Sequence, residues 1–240
     1  MTETAKLGLP LVQAAQAQKH VTVNEALARV DAMTQLRLVT VMRPTPPVAP
    51  ADGDCHAVPA GATGDWAGED GRVAVASAGL WSFVTPQMGW RAWDVAGQAA
   101  LTHDGVDWRR DEAAVSAGGA ATLLRVVEVD HVIGAGEAVS TVAGIIPGPS
   151  QVVGVTGRVI SPISGAGLTG WRLGVSGSDN RYGSSLGLGL NSYALGFTGQ
   201  PITYWSATDL ILTPEGGASF DGGTVRLAVH LTELLPPAAV

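Results

Sequence analysis

The chain has 240 residues, 46% of them hydrophobic and only 15% charged, with a formal net charge of −7. That balance excludes the clustered Lys and Arg by which a phosphate backbone is held, and no apolar run is long enough to span a bilayer. The single Cys55 excludes an intramolecular disulfide and a Cys-rich zinc site, so stability must come from packing. The length accommodates one or two domains, and the shifts in composition along the chain favour two. Charges to solvate a large monomer surface are scarce, which favours self-association. The opening MTETAKLGLP lacks the charged start, apolar core and small-residue cleavage site of a secretory signal, so synthesis in the cytoplasm is expected.

Residues 1–43 read as a helical attachment segment. Pro10 suits a first helical turn, and residues 11–18 are acceptable helix formers, giving a short first helix. Thr22 and Glu25 have the spacing of a capping box, so a second helix is expected to start there. Its apolar stripe runs through Leu27, Val30, Met33 and the stretch from Leu36 to Leu38, ending before Arg43 and Pro44. Leu9, Leu11, Gln13, Gln16, Gln18 and His20 are the candidate particle-attachment residues. Small Ala and uncharged Gln allow close approach and hydrogen bonding to another chain.

Residues 44–51 are Pro-rich and predict an extended spacer between helix and sheet. Residues 52–110 then alternate short apolar runs with Gly and Asp. The runs 55–58, 72–76, 80–84, 90–95, 99–103 and 106–109 predict a small β-meander, with turns at 61–64, 69–71, 78–79 and 104–105. Trp66, Trp81, Trp90, Trp93 and Trp108 all fall here. They either offer stacking faces to sugars or fill the core of a small sheet, each burying on the order of 200 Å².

Residues 111–121 are small and Gly-rich and read as a linker. Beyond them, residues 122–240 predict an antiparallel β-sandwich with strands at 122–131, 138–145, 151–160, 170–175, 186–190, 193–197, 202–204, 209–214 and 224–233. The fold class is therefore mainly β, with an N-terminal helical segment and two β regions.

The stretch from Leu7-Gly-Leu-Pro10 through Gln13-Ala-Ala-Gln-Ala-Gln18 and Asn24-Glu-Ala-Leu27, with the Trp-rich region after it, resembles the N-terminal module of an uncharacterised family found in tail fibres of bacteriophages, prophages and gene transfer agents. The resemblance covers roughly residues 7–110. Trp171-Arg-Leu-Gly-Val175, Asp179-Asn-Arg-Tyr-Gly183, Gly217 and Phe220-Asp-Gly-Gly-Thr-Val-Arg-Leu-Ala-Val229 resemble a C-terminal tail-fibre domain. The resemblance implies a homotrimeric tail fibre or spike on a phage-like particle. Its N-terminal helices would dock on a tail, baseplate or head protein, and its C-terminal domain would touch a host-surface receptor, with polysaccharide the expected class. It would leave the cell with the released particle.

Asp179, Asn180, Arg181, Tyr182, Tyr193, Tyr204 and Trp205 combine planar hydrogen-bonding groups with aromatic faces, the parts that bind sugars. Asp179 and Asn180 could equally form an Asx turn braced by Arg181. His20, His56, His103, His131 and His230 are scattered without metal-ligand spacing, so neither a metal nor a cofactor is expected. His131 and His230 each read as lying on a strand face at a chain interface. Cys55 beside His56 suggests a nucleophile, against a small residue at a strand start. Paired carboxylates could hydrolyse a glycan, making a capsule-degrading glycosidase spike the alternative to a non-enzymatic binder, but Glu128 and Asp130 also suit a solvated strand face. The glycines near residues 157–189 lack a phosphate-loop pattern and fit turns and close strand approach.

Overall fold

The computed structural model describes residues 2–12 and 19–239, the side chains of Lys19 and His20 excepted. The chain divides into two compact units, residues Met1–Glu112 and Ala113–Val240.

In the first unit, helix α1 spans Lys19–Met33 and is followed by strands β1 (Arg37–Thr40), β2 (Cys55–Ala57), β3 (Val73–Ser77), β4 (Leu80–Val84), β5 (Arg91–Asp94), β6 (Ala99–His103) and β7 (Trp108–Arg110). They form one seven-stranded sheet in the order β4-β3-β2-β1-β5-β6-β7. The helix begins before the expected Thr22 and stops at Met33. Gln35, at φ 50°, turns the chain out of the helix, and of the residues expected to extend its stripe Leu38 enters strand β1, with Leu36 just before it. Strand β1 is the central strand and pairs in parallel with both β2 and β5. A parallel neighbour needs a long crossover. The Pro-rich stretch supplies it, so it joins two strands of one sheet instead of separating helix from sheet.

Both faces of this sheet are covered. Ala32 and Leu36 pack with Leu38, Cys55, Val73, Val75 and Leu101 on one face, while Trp66, Ala74 and Val58 cluster on the other. Trp90 and Trp108 join the first cluster and Trp81 the second, whereas Trp93 is exposed. Core filling therefore accounts for four of the five tryptophans. The β3–β4 hairpin turns at Ala78-Gly79, both with positive φ, as a two-residue turn of matching twist requires.

The second unit holds β8 (Glu112–Val115), β9 (Ala121–Ile133), β10 (Ser140–Ile146), β11 (Ser150–Ser164), β12 (Gly170–Val175), β13 (Ser178–Leu186), β14 (Tyr193–Tyr204), β15 (Thr208–Glu215) and β16 (Gly222–Leu235). A four-stranded sheet, β10-β15-β12-β13, and a five-stranded sheet, β14-β11-β16-β9-β8, enclose one core. The pairings within them are antiparallel. Val152, Val155, Val159, Val225, Leu227 and Val229 meet Val142, Trp171, Leu173, Leu210 and Leu212 there.

Three details depart from the expected strands. The stretch read as a linker contributes β8, a strand of the five-stranded sheet. The expected strand at 186–190 is largely a loop, and β13 forms instead from the polar Ser178–Leu186. The two runs expected at 193–197 and 202–204 are one strand, β14, with a register shift opposite Val152 and Gly154. Gly196 faces Tyr182, and a Cβ there would collide with the Tyr182 backbone, so this position requires glycine for close approach of β14 to β13.

Candidate functional site

The expected first helix at residues 11–18 lies outside the described residues except for Leu11 and Val12, which are not helical. Thr4 N–H donates to the Leu9 carbonyl and Leu11 N–H to that of Thr2, both at 2.9 Å, which makes a short arm doubled back on itself. Asp31, buried on α1, fastens the arm: it accepts from the Thr4 hydroxyl at 2.7 Å, the Lys6 amide at 2.9 Å and the Leu7 amide at 2.6 Å. Burial raises the pKa of its carboxyl, but the Leu7, Thr4 and Lys6 bonds outweigh that and hold it below the ordinary carboxylate value. Asn24 pairs with both the N–H and the carbonyl of Val12, at 2.9 and 3.0 Å.

Leu9 and Leu11 are thus half-buried in an arm that the unit itself holds. Gln13, Gln16 and Gln18 lie outside the described residues, as does the side chain of His20. The arm, α1, β3 and β4 line an open groove of about 940 Å³. Leu7 and Val12 of the arm and Val21, Val23 and Val30 of α1 are exposed, with Val23 and Val30 on one face of the helix and Val21 on the other.

Cys55 and His56 do not act on one another. The Cys55 thiol lies in the α1-side core, where burial pushes its pKa up, although Lys6 Nζ donates to it at 3.2 Å. His56 lies against Trp66 and Trp81 and shares a 2.9 Å hydrogen bond with Thr40. Consecutive strand residues point to opposite faces, which separates the two.

The seven residues expected to bind a ligand fall into separate places. Tyr182 is only 2% exposed, and its phenol lies 2.7 Å from that of Tyr204, itself buried. Burial and the bond to Tyr204 push the Tyr182 phenol well up, so it stays protonated. Both tyrosines are therefore corrected from contact residues to core residues. The exposed Arg181 donates from Nη1 to the Tyr204 hydroxyl at 3.3 Å, so the buried phenols position its guanidinium. Asp179 is an ion-pair partner of Arg172 at 3.1 Å on β13, not the start of an Asx turn, and Asn180 beside it is exposed. Trp205, 83% exposed, follows the end of β14. Tyr193 lies away from this group, on the outer face of the five-stranded sheet, under the Arg158 guanidinium at 6.0 Å.

That outer face also carries Leu124 and Val126 of β9, His230 of β16, and Leu195 and Phe197 of β14, with all but His230 prominently exposed. A shallow apolar hollow of about 230 Å³ lies among Val153, Gly154, Thr156, Gly196, Phe197 and His230. His230 lies on the outer face. His131 does not: it turns inward and bonds the buried Ser140 at 2.7 Å. Glu128 and Asp130 are on the outer face too, with Arg226 gripping Asp130 through two bonds of 2.6 and 2.7 Å. The signal for this surface is in the sequence of β9, which is apolar at both parities over residues 123–133, whereas a strand with one wet face alternates cleanly.

Among the described residues, no group of three or more His, Cys, Asp or Glu is arranged to hold a metal ion, and no helix is long and apolar enough to cross a membrane. Residues 23–109 match a family of proteins of unknown function, DUF2793. The matched region contains most of α1 and the seven-stranded sheet to within one residue of its last strand. No curated protein matches. A chain of the solved cyanophage Pam1 capsid asymmetric unit is 26% identical, with a TM-score of 0.34, over 48% of this chain and 85% of that one.

Proposed function

We propose that this chain is a structural component of a phage-like particle, a tail fibre or spike, and not an enzyme. Its N-terminal unit docks on a tail, baseplate or head protein, and its C-terminal sandwich meets a host-surface polysaccharide. It works as a homotrimer, because three weak receptor contacts on one rigid particle combine through high effective concentration. The chain is made in the cytoplasm and leaves the cell within the particle.

The observation that carries the reading is the pair Val23 and Val30, exposed on one face of α1 beside the arm. Two apolar side chains left in water on one helical face suit contact with a partner. On the receptor side, an exposed guanidinium positioned by two buried phenols supplies the oriented donor, and Trp205 an exposed aromatic face. The sequence resemblance to tail-fibre modules supports both halves.

Incorporation and adsorption test the halves separately. Val23→Asp with Val30→Asp should leave the isolated chain folded but absent from purified particles. Arg181→Ala with Trp205→Ala should leave incorporation intact and reduce adsorption to host cells. Particles that incorporate the first variant normally would overturn the docking assignment. Turnover of capsular polysaccharide into fragments by purified protein would replace the binder with a glycosidase.

A further inference from the structure

We propose that the outer face of the five-stranded sheet is the surface on which a second copy of this chain packs, with the acidic flank of one copy against the basic flank of the next. The proposal takes from the preceding reading only that the chain assembles with itself, and adds where.

The register fixes what the face displays. One row across the sheet runs Tyr193, Arg158, Arg226 and Asp130, and the next runs Leu195, Thr156, Ala228 and Glu128. A third carries Phe197, Gly154, His230 and Val126. Carboxylates therefore occupy the β9 side, guanidiniums the β16 and β11 positions, and large apolar groups the β14 side.

Area is the first argument for a protein occupant. Tyr193, Leu195, Phe197, Leu124 and Val126 are each about 60–80% exposed, which leaves about 600 Å² of side-chain surface in water at roughly 200 Å² per large residue. That stands at the top of the roughly 300–600 Å² range of the largest apolar patch on a typical monomer. It approaches the roughly 800 Å² that each partner buries in a standard interface.

Charge is the second argument, and it selects a copy of this chain as the occupant. Arg158 stacks on Tyr193 and donates to the Asn191 carbonyl at 3.2 Å, and among the described residues no carboxylate lies within ion-pair distance of it. Glu128 has only a distant neighbour, Arg226 at 3.7 Å, and more than half its side chain is exposed. Both sit on the same face, separated by β16, so neither reaches the other within one chain. With this face turned inward around a three-fold axis, the β11 side of one copy lies against the β9 side of the next, and Arg158 then meets Glu128. The apolar rows beside them are buried by the same movement. Opposite charges across an interface fix register and suppress wrong pairings.

The solution mass of the full chain tests this, using the parent and the variants Arg158→Glu, Glu128→Arg, the double swap, and Phe197→Ser, each checked for an unchanged thermal melt. The parent should have a mass of three times 24.5 kDa. Arg158→Glu, Glu128→Arg and Phe197→Ser should each weaken association at least tenfold, and the double swap should restore it. A parent that stays monomeric overturns the assignment. So does an assembly whose mass is indifferent to these changes, or one the double swap fails to restore. A monomer that loses polysaccharide retention on Phe197→Ser would reassign the face to glycan. The receptor reading fails separately, on adsorption of particles carrying Arg181→Ala with Trp205→Ala, whatever the mass.

Discussion

The two units are both sheets, yet they are held together differently. The N-terminal sheet is built from strands of three to five residues and is tied by polar fastenings, chiefly Asp31 on the arm and Asp104 at the β6–β7 turn. The C-terminal sandwich is built from strands of up to 15 residues over a continuous aliphatic core, and β9 and β16 run thirteen residue pairs without a shift in register. Short strands bury too little to hold themselves, so side-chain clamps and tryptophans make up the difference. Long strands need only a dry inner face. The contrast places the amide-clamped carboxylates Asp31 and Asp104 in the first unit and the tightest steric contact, at Gly196, in the second.

The largest expected effect comes from Leu38→Asp. Leu38 is fully buried on the central strand, and an unpaired charge there should unfold the first unit outright. Peptide-resolved hydrogen exchange should show protection lost throughout residues 19–110 and kept in β9 and β16. Equal loss in both would break the comparison. Gly196→Ala reverses the target: the added methyl meets the Tyr182 backbone, and the second unit should lose about 3 kcal/mol, the top of the usual overpacking cost of roughly 1–3 kcal/mol. Denaturant unfolding followed through Trp171 checks it.

Asp31→Ala removes three acceptor bonds from the arm and should cost the first unit about 2–3 kcal/mol. The same bonds give a pH dependence with a definite sign. Both Asp31 and Asp104 have folded pKa values below their unfolded ones. For Asp104, burial raises the pKa, but the Asp107 amide, Arg109 and the Val106 amide bring it down to about 2. The stability they contribute is complete above the unfolded carboxylate value near 4 and is lost as pH falls through the folded values. Tryptophan emission dominated by residues 66–108 should therefore shift as pH falls below about 4, and Asp31→Ala should blunt that shift.

Tyr182→Phe removes one buried hydroxyl and should cost about 1 kcal/mol in the second unit, while freeing the Tyr204 hydroxyl to turn wholly toward Arg181. Arg181→Ala, at an exposed position, should change the melt by less than about 0.5 kcal/mol. A large loss of stability there would make Arg181 a structural brace.

How much of this was legible follows from chain length per element. Strands 80–84, 99–103 and 170–175 were readable to the residue because turn residues lie within two positions of their ends, Gly79 and Pro86 for the first, Gly97 and Asp104 for the second, and Gly177 for the third. Leu36 and Leu38 were not, since a four-residue strand is too short for its period to be told from the tail of a helix, and Gln35 does not announce a left-handed turn as Gly would. Polar Asp179, Asn180 and Arg181 became strand through pairing with β12, a tertiary preference that local propensity does not contain. The candidate ligand residues were recognisable as chemistry but not as places. Nothing local says that Tyr182 turns inward while its neighbour Arg181 remains exposed.

The parallel position of β1 has a consequence for how the first unit comes into being. Strands β2 to β4 and β5 to β7 are each local antiparallel ribbons that can form from neighbouring residues, but they share no edge except through β1. The strand that joins them leaves the ribosome before either ribbon and waits for both. A fragment begun at the Pro-rich stretch would hold two separate ribbons with raw edges facing each other, a form suited to aggregation and not to a domain.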